Sequence, residues 1–217
     1  MKRKVIGIGE TILDILFRDG QPTAAVPGGS VFNGIISLGR MGVTVDFISE
    51  TGNDRVGRTI LDFMRRNGVE TGHVNVFPEG KSPVSLAFLD EHNEPDYLFY
   101  KDYPSQRLDV VFPDIAADDV VMFGSYFALN PVLRPKVAEF LDYARGRGAL
   151  IYYDVNFRST HATDAIKLTP TILENFETAD IVRGSTEDFR NMFGLSDPAR
   201  IYADKVKFYC PRLLCTA

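Results

Sequence analysis

Two adjacent glycines before a predicted helix form the first candidate ligand site. Residues 27–33 read PGGSVFN, so Gly28 and Gly29 join an extended segment to a helix start. Glycine lets the backbone approach a ligand closely because no Cβ intervenes, and the N–H groups of a helix start favour electron-rich oxygens. Asn33, near the first turn, offers a donor and an acceptor, which suits a hydroxyl group. A tight turn without a ligand is the alternative interpretation.

Charged side chains follow two other predicted strands. Asp14 comes shortly after the first strand, and its carboxylate could accept hydrogen bonds from vicinal hydroxyls of a polyol. Residues 154–158 read DVNFR at the end of a later strand, the edge where open α/β sheets bind ligands. In an extended chain, Asp154, Asn156 and Arg158 share one side, and Arg158 supplies a fork of donors for phosphate or carboxylate. A solvated carboxylate and a strand-end salt bridge are the alternatives.

Three other motif classes are excluded by their own residues. Residues 7–12 read GIGETI, which begins like a dinucleotide-binding fingerprint but has Ile12 in place of the third glycine. Residues 80–82 read GKS, yet Asn75 stands where a P-loop needs its first glycine, and Pro83 follows where a helix should start. The histidines have no metal-ligand spacing.

The elements that would position these residues alternate between short apolar runs and amphipathic segments. This alternation predicts an α/β fold with a mostly parallel sheet. Residues 73–103 differ, because short β runs separated by turns at 78–80 and 92–95 predict an antiparallel meander. The predicted strand over 212–217 has no helix after it, so we expect further chain beyond Ala217. Helices are predicted over 31–41, from the capping Asp54, from Asn130-Pro131 to Arg147, from Thr169-Pro170, from the capping Ser185 to Gly194 and from Asp197-Pro198.

Composition argues against several classes of partner. The 217 residues carry 24 Lys+Arg and 29 Asp+Glu, a formal net charge of −5 without a basic run, which argues against nucleic acid. No stretch approaches the roughly 18 apolar residues of a membrane helix, so no membrane partner is expected. The cysteines, Cys210 and Cys215, lack the Cys-x-x-Cys spacing. They predict a reducing, cytoplasmic setting.

With these motifs in place, the sequence resembles the ribokinase-like PfkB family of sugar kinases along essentially its whole length. The glycine pair, Asn33, Gly42 and Gly52 follow the register of that family's amino-terminal signature. The DVNFR run is typical of the fructokinase and 2-keto-3-deoxygluconate kinase side. The resemblance implies a three-layer αβα fold with a mostly parallel central sheet. It also implies a single α/β core over 1–217 and a small β-sheet lid formed by about 11–27 and 73–103.

The resemblance further implies a carbohydrate kinase that transfers the γ-phosphoryl group of ATP, with Mg²⁺, to a hydroxyl of a fructose-like sugar or a keto-sugar acid. A homodimer paired through the lid is also implied. Lys101 stands where relatives often have a lid cation, which makes an acidic sugar conceivable. The sugar contacts carried over are Asp14, Gly28, Gly29, Asn33, Lys101, Asn156 and Arg158, and Arg158 is also a candidate phosphoryl contact. The nucleotide contacts carried over are Arg183, Ser185 and Asp188, and Asp188 is the candidate metal ligand.

The sequence departs from the family pattern at several positions. Val31 and Ile35 stand where small residues are usual. Ser185 replaces the asparagine of an Asn-x-x-Glu motif, while Asp188 keeps its carboxylate. The Gly-Ala-Gly-Asp signature that holds the family's catalytic base does not occur in these residues. Two alternatives therefore stay open: a catalytically inactive sugar-binding or regulatory remnant, and a nucleoside kinase.

Overall fold

The computed structural model describes residues 3–92 and 95–217, which form strands, helices and connecting turns. The strands are β1 (Val5–Ile8), β2 (Ile12–Arg18), β3 (Gln21–Gly28), β4 (Val45–Gly52), β5 (Val69–Glu70), β6 (Val74–Phe77), β7 (Lys81–Leu89), β8 (Pro95–Asp102), β9 (Val120–Gly124), β10 (Leu150–Asp154), β11 (Ile181–Ser185) and β12 (Leu213–Thr216). The helices are α1 (Ser30–Arg40), α2 (Arg55–Arg66), α3 (Arg134–Gly146), α4 (Ala165–Thr178), α5 (Thr186–Phe193) and α6 (Pro198–Ile201). Short 3₁₀ turns cover Tyr126–Leu129 and Ser159–Asp164, and a π-helical turn covers Tyr202–Val206.

The chain divides into two compact units. The first contains the residues up to Gly9 together with Asp114–Ala217, and the second is Glu10–Pro113. In the first unit, strands β1, β9, β10, β11 and β12 lie side by side in that order and all pair in parallel. Side chains such as Ile6, Val121 and Ile151 are fully buried in this sheet. The α/β fold with a mostly parallel sheet is confirmed.

The second unit contains a short parallel arrangement and a separate small sheet. Strand β4, buried along its whole length, pairs in parallel with β5 and β6. The small sheet has the order β3-β2-β7-β8; β2 pairs antiparallel with β3 and parallel with β7, while β7 pairs antiparallel with β8. A second, small sheet is therefore confirmed. Its role as a lid stays a prediction.

The prediction of one antiparallel meander over 73–103 is partly wrong. Among the described residues of this range, β7 and β8 form the one antiparallel pair, whereas β6 lies outside the small sheet and pairs in parallel with β4. The chain does bend at 78–80, but Val74 and Phe77 are buried beside β4, so long-range burial, which the local pattern does not specify, decides the partner of β6. Of the second predicted turn, Asn93 and Glu94 lie outside the described residues.

Two helix starts also differ from the sequence prediction. Asn130 accepts a hydrogen bond from the Val132 amide at 2.9 Å and ends a turn, so α3 begins only at Arg134. Helix α4 begins at Ala165, which places Pro170 inside it. The carbonyl that loses its partner belongs to Ile166, which is 89% exposed, so water can replace the missing bond. Among the described residues, no helix combines the length and the apolar character needed to cross a membrane.

Candidate functional site

The second unit holds a row of residues across the small sheet. Asp14 on β2 lies opposite Ser85 on β7, and Ser85 lies opposite Phe99 on β8. Residues directly opposite each other project from the same face of a sheet. The fully buried Ser85 hydroxyl donates a hydrogen bond to Asp14 Oδ1, which orients the carboxylate.

The glycine pair lies against this carboxylate and against the chain that precedes it. A Cβ at Gly28 would lie 2.5 Å from Asp14 Oδ2, so the bare Cα provides the space in which this oxygen sits. Gly29 has φ 137°, and a Cβ there would collide with the carbonyl oxygen of Glu10. Gly29 therefore requires glycine, whereas a Cβ at Gly28 would force the Asp14 carboxylate to move. Gly29 directly precedes the first residue of α1.

Burial governs the protonation of Asp14. Desolvation raises the pKa of its carboxyl above the ordinary value of 3.8; the Ser85 hydrogen bond opposes this rise, and the negative charge of Glu10 adds to it. A desolvated carboxylate that already has one donor retains acceptor capacity on Oδ2. Hydroxyl groups of a polyol would satisfy that capacity.

An ion pair lies at the edge of the same row. Lys101 Nζ is 3.2 Å from Glu10 Oε2, and the two side chains are 35% and 29% exposed. The same Nζ lies 5.1 Å from the centroid of the Phe99 ring, a cation–π distance. The negative charge of Glu10 also acts on the pKa of Asp14. Glu10 therefore interacts electrostatically with both Lys101 and Asp14.

Asn33 lies in the first turn of α1. Its backbone N–H donates to the Gly29 carbonyl at 3.0 Å, the first bond of the helix, so the amides before it have no partner within the helix. The side chain of Asn33 is exposed. No residue within 3–92 or 95–217 accepts from or donates to its carboxamide group. A donor and an acceptor are thus available beside the free helix amides.

The first unit holds a second cluster at the carboxyl ends of its strands. Asp154 Oδ1 accepts a hydrogen bond from Arg183 Nη1 at 3.0 Å, and Arg183 Nη2 donates to Thr216 Oγ1 at 3.0 Å. Burial raises the pKa of Asp154, while the Arg183 hydrogen bond acts to lower it. Arg183 therefore bridges the ends of β10 and β12 and keeps a guanidinium at this edge of the sheet.

Asp188 organises the loop after β10. Its Oδ1 accepts from the Phe157 amide at 2.7 Å. Its Oδ2 accepts from the backbone amide and the hydroxyl of Ser185, at 2.6 and 2.8 Å. Ser185 and Asp188 form a capping box at the start of α5, so the cap predicted for Ser185 is confirmed.

The chain does not stay extended after Asp154, so the condition under which Asp154, Asn156 and Arg158 would share one side is not met. Asn156 has φ 39°, and β10 ends at Asp154. The reason is burial on both sides of Asn156: Val155 and Phe157 are 1% and 2% exposed, and Asp188 holds the Phe157 amide. Asn156 absorbs the turn, since asparagine tolerates left-handed backbone better than most residues.

Arg158 is exposed beyond this turn. Within the described part of the chain, its guanidinium has no hydrogen-bond or ion-pair partner, although its charge acts to lower the pKa of Asp154. It is thus available to an anion from solvent. Asp14, Asn33 and Lys101 belong to one unit and Arg158 to the other, and their joint contact with one ligand stays a prediction.

The described residues form no all-protein metal cage, although Mg²⁺ is usually held by one or two carboxylates together with substrate phosphates and water. The described residues contain no group of three or more His, Cys, Asp or Glu side chains arranged to hold a metal ion. The candidate ligand, Asp188, already has both oxygens engaged by three protein donors, which suits a structural anchor better than a metal ligand.

Sequence reasoning missed Glu10, Ser85 and Thr216. Each is polar and close to a predicted strand end or inside a strand, but each acquires its partner from a distant segment: Ser85 and Asp14 are 71 positions apart, and Lys101 and Glu10 are 91 apart. For these three residues, one local feature of the sequence pointed to a site: Glu10 follows Gly9 at the carboxyl end of β1.

These features define an α/β protein whose parallel strands end in polar groups and whose small mixed sheet carries a buried carboxylate. Residues 3–207 match the profile described as pfkB family carbohydrate kinase. The chain belongs to this family.

Curated relatives agree with this assignment. The chain is 25% identical over 204 residues to Fructokinase-1 of Oryza sativa subsp. japonica, covering 88% of this chain and 62% of that protein. It is 31% identical over 175 residues to 5-dehydro-2-deoxygluconokinase of Geobacillus kaustophilus, covering 76% of this chain and 51% of that protein. The chain thus spans about three fifths of the length of the rice relative.

Solved structures share the fold. Fructokinase from Vibrio cholerae, in a form with fructose, ADP and calcium ion bound, superposes with a TM-score of 0.85 at 20% identity, covering 100% of this chain and 71% of that chain. Aminoimidazole riboside kinase from Salmonella enterica, complexed with aminoimidazole riboside and an ATP analog, superposes with a TM-score of 0.80 at 23% identity, covering 98% and 70%. The ribokinase-like fold is confirmed.

Proposed function

We propose that this chain carries the sugar-binding part of an ATP-dependent sugar kinase. The observation that carries the proposal is the Asp14 carboxylate: one oxygen is fixed by Ser85 and the other lies beside the bare Cα of Gly28. In a pfkB family chain, a buried acceptor with spare capacity next to free helix amides suits the vicinal hydroxyls of a sugar.

In this proposal the residues act mainly by positioning. Asp14 accepts hydrogen bonds from two sugar hydroxyls, Asn33 donates to and accepts from a third, and the backbone at Gly28 and Gly29 approaches the ring closely. Arg158, which is exposed and unpaired within the described residues, neutralises charge on the transferring phosphoryl group. Phosphoryl transfer depends on such positioning and on charge stabilisation more than on covalent chemistry by the protein.

Nucleotide contacts form the second part of the proposal. Arg183, held by Asp154 and Thr216, keeps further N–H donors that suit the phosphates of ATP. Ser185 and Asp188 shape the loop that carries Asn156 and Arg158. We assign these two residues a positioning role and no direct contact with metal.

The small sheet is proposed both to cover the sugar and to pair two copies of the chain. On the face opposite Asp14, Leu98 and Tyr100 of β8 are 50% and 59% exposed, and Phe17 stacks on Phe88 at 4.9 Å. Among the described strands, β8 is an edge strand of this sheet, and an apolar face beside a sheet edge favours self-association. Light scattering should give a dimer that L98K together with Y100K converts to monomer. Val111→Lys, at an 83% exposed position, should leave it unchanged.

A turnover assay tests the central proposal. The purified chain is given ATP, Mg²⁺ and a panel of fructose, ribose, 2-keto-3-deoxygluconate and adenosine, and ADP release is compared with that of Asp14→Ala. Sugar-dependent ADP release that Asp14→Ala abolishes supports a kinase. Sugar binding by calorimetry without ADP release favours the inactive sugar-binding remnant, and a response to adenosine alone favours a nucleoside kinase. A chain that binds none of these ligands contradicts the proposal.

A further inference from the structure

We propose that Glu10 makes the sugar site selective for uncharged sugars by neutralising Lys101. The inference rests on the proposed function and narrows its substrate class, because a fructose-like sugar and a keto-sugar acid differ by a carboxylate. Glu10 is assigned as a specificity-determining residue.

Geometry links the ion pair to the sugar-binding row. Lys101 Nζ lies 3.2 Å from Glu10 Oε2 and 5.1 Å from the Phe99 ring centroid. Phe99 lies opposite Ser85, and Ser85 donates its hydroxyl hydrogen to Asp14. The ammonium group thus shares a sheet face with the carboxylate that is proposed to bind hydroxyls.

The charges on this face favour a neutral ligand. Glu10 compensates the charge of Lys101, which leaves the Asp14 carboxylate without a counter-charge among these three groups. Arg107, an arginine of the same unit, donates to Glu50 Oε1 from Nε at 2.7 Å, and their side chains are 11% and 2% exposed. A sugar carboxylate entering here would approach Asp14 and would have to displace Glu10 from Lys101.

Partial burial of the Glu10–Lys101 ion pair strengthens its electrostatic effect on a bound ligand. Side chains that are 35% and 29% exposed are less screened than a surface pair, so the charge of Glu10 acts on nearby ligand groups. The charge of Glu10 also acts, after burial and the Ser85 hydrogen bond, to raise the pKa of Asp14, which agrees with their placement on this face.

The variant Glu10→Gln tests the inference, because glutamine keeps the shape and still accepts a hydrogen bond from Lys101 while leaving the ammonium uncompensated. We expect the affinity for 2-keto-3-deoxygluconate, relative to that for fructose, to rise about fivefold. A change of this size is what one partly exposed ion pair contributes to binding. The gain should shrink at high ionic strength. Adding Lys101→Met to Glu10→Gln should remove the gain.

The matched control is Glu91→Gln, which makes the same charge change in a Glu91–His92 pair whose Glu91 side chain is 86% exposed. Calorimetric titration of each variant, made in the same 217-residue chain, with both sugars gives the affinity ratio. An unchanged ratio in Glu10→Gln, or an equal shift in Glu91→Gln, overturns the inference while the binding of fructose keeps the proposed function intact. A wild-type chain that binds neither sugar overturns both the proposed function and this inference.

Discussion

The Phe157 amide donates a 2.7 Å hydrogen bond to Asp188 Oδ1 and thereby ties the loop after β10 to the first turn of α5. This bond explains why the DVNFR run turns at Asn156 instead of continuing as a strand. It also explains why Asp188 is needed even without a metal: the loop that presents Arg158 depends on it.

Asp188→Asn should destabilise the first unit and loosen this loop. In asparagine an NH₂ group replaces one of the two carboxylate oxygens. This donor would face either the Phe157 amide or the Ser185 amide and hydroxyl, which are themselves donors. At least one buried hydrogen bond is therefore lost. We expect the free energy of unfolding to fall by about 2 kcal/mol, measured by chemical denaturation, with faster hydrogen exchange at the Phe157 amide.

Asp197→Ala is the control for Asp188→Asn, because Asp197 caps α6 by accepting from the Arg200 amide at 2.8 Å on the surface. It should cost about 1 kcal/mol and leave exchange at Phe157 unchanged. Equal exchange at Phe157 in both variants would contradict the anchoring role of Asp188.

Asp14→Asn should separate stability from ligand binding. Burial raises the pKa of Asp14 above 3.8, so the folded state binds a proton more readily than the unfolded state, and Asp14 weakens stability as pH rises through that raised pKa. Above it, Asp14→Asn should therefore be as stable as the wild type or more so, and this advantage should disappear below pH 3.8.

Sugar binding should be lost in the same Asp14→Asn protein, because an amide replaces the carboxylate that accepts two hydroxyls. Denaturation curves across pH and calorimetry with sugar check the two parts. Ser85→Ala, which removes the donor to Asp14, is the companion variant and should weaken binding less than Asp14→Asn. Stability that falls at neutral pH in Asp14→Asn would contradict this account of the carboxylate.

Gly28→Ala should impair ligand binding by moving the Asp14 carboxylate. The added Cβ would lie 2.5 Å from Asp14 Oδ2, closer than real contacts allow, so the carboxylate must rotate away. We expect sugar affinity to fall about tenfold or more, with a loss of about 1 kcal/mol in unfolding free energy.

Gly72→Ala is the matched control for Gly28→Ala, since a Cβ at Gly72 meets nothing within 4 Å. It should leave both affinity and stability unchanged, as calorimetry and thermal denaturation would show. Full sugar affinity in Gly28→Ala would refute the close packing of this glycine against the acid.

Tyr153→Phe should not destabilise the protein, although Tyr153 is fully buried. Neither its hydroxyl nor Asn175 Nδ2 makes a hydrogen bond of ordinary geometry among the described residues, although the Asn175 side chain acts to lower the pKa of Tyr153 against the rise caused by burial. Removing a buried, unpaired O–H removes its desolvation penalty, so the free energy of unfolding should stay equal or rise by up to about 1 kcal/mol.

Phe123→Leu provides the contrast, because the Phe123 ring stacks on the Tyr153 ring at 4.7 Å. Its loss should cost about 1 to 2 kcal/mol in chemical denaturation. A loss in Tyr153→Phe as large as that in Phe123→Leu would show that the hydroxyl is paired.

The types and spacing of neighbouring residues determined the alternation of strands and helices along the chain. They also determined the helix caps at Asp54 and Ser185 and the end of α5 at Gly194. Asp54 accepts from the Gly57 amide, Ser185 accepts from the Asp188 amide, and Gly194 has φ 68°. In each case the partners lie within one helical turn, so residue type and spacing suffice to predict the structure. Family motifs likewise indicated the glycine pair and Asn33.

Tertiary structure alone decided which charges are compensated and which way the chain turns after β10. The partners of Glu10, Asp14 and Arg183 are 91, 71 and 33 positions away along the chain. The turn at Asn156 depends on burial of its two neighbours and on an acceptor from α5. Such contacts arise from packing between distant segments, and the spacing of residues in a single sequence does not encode them.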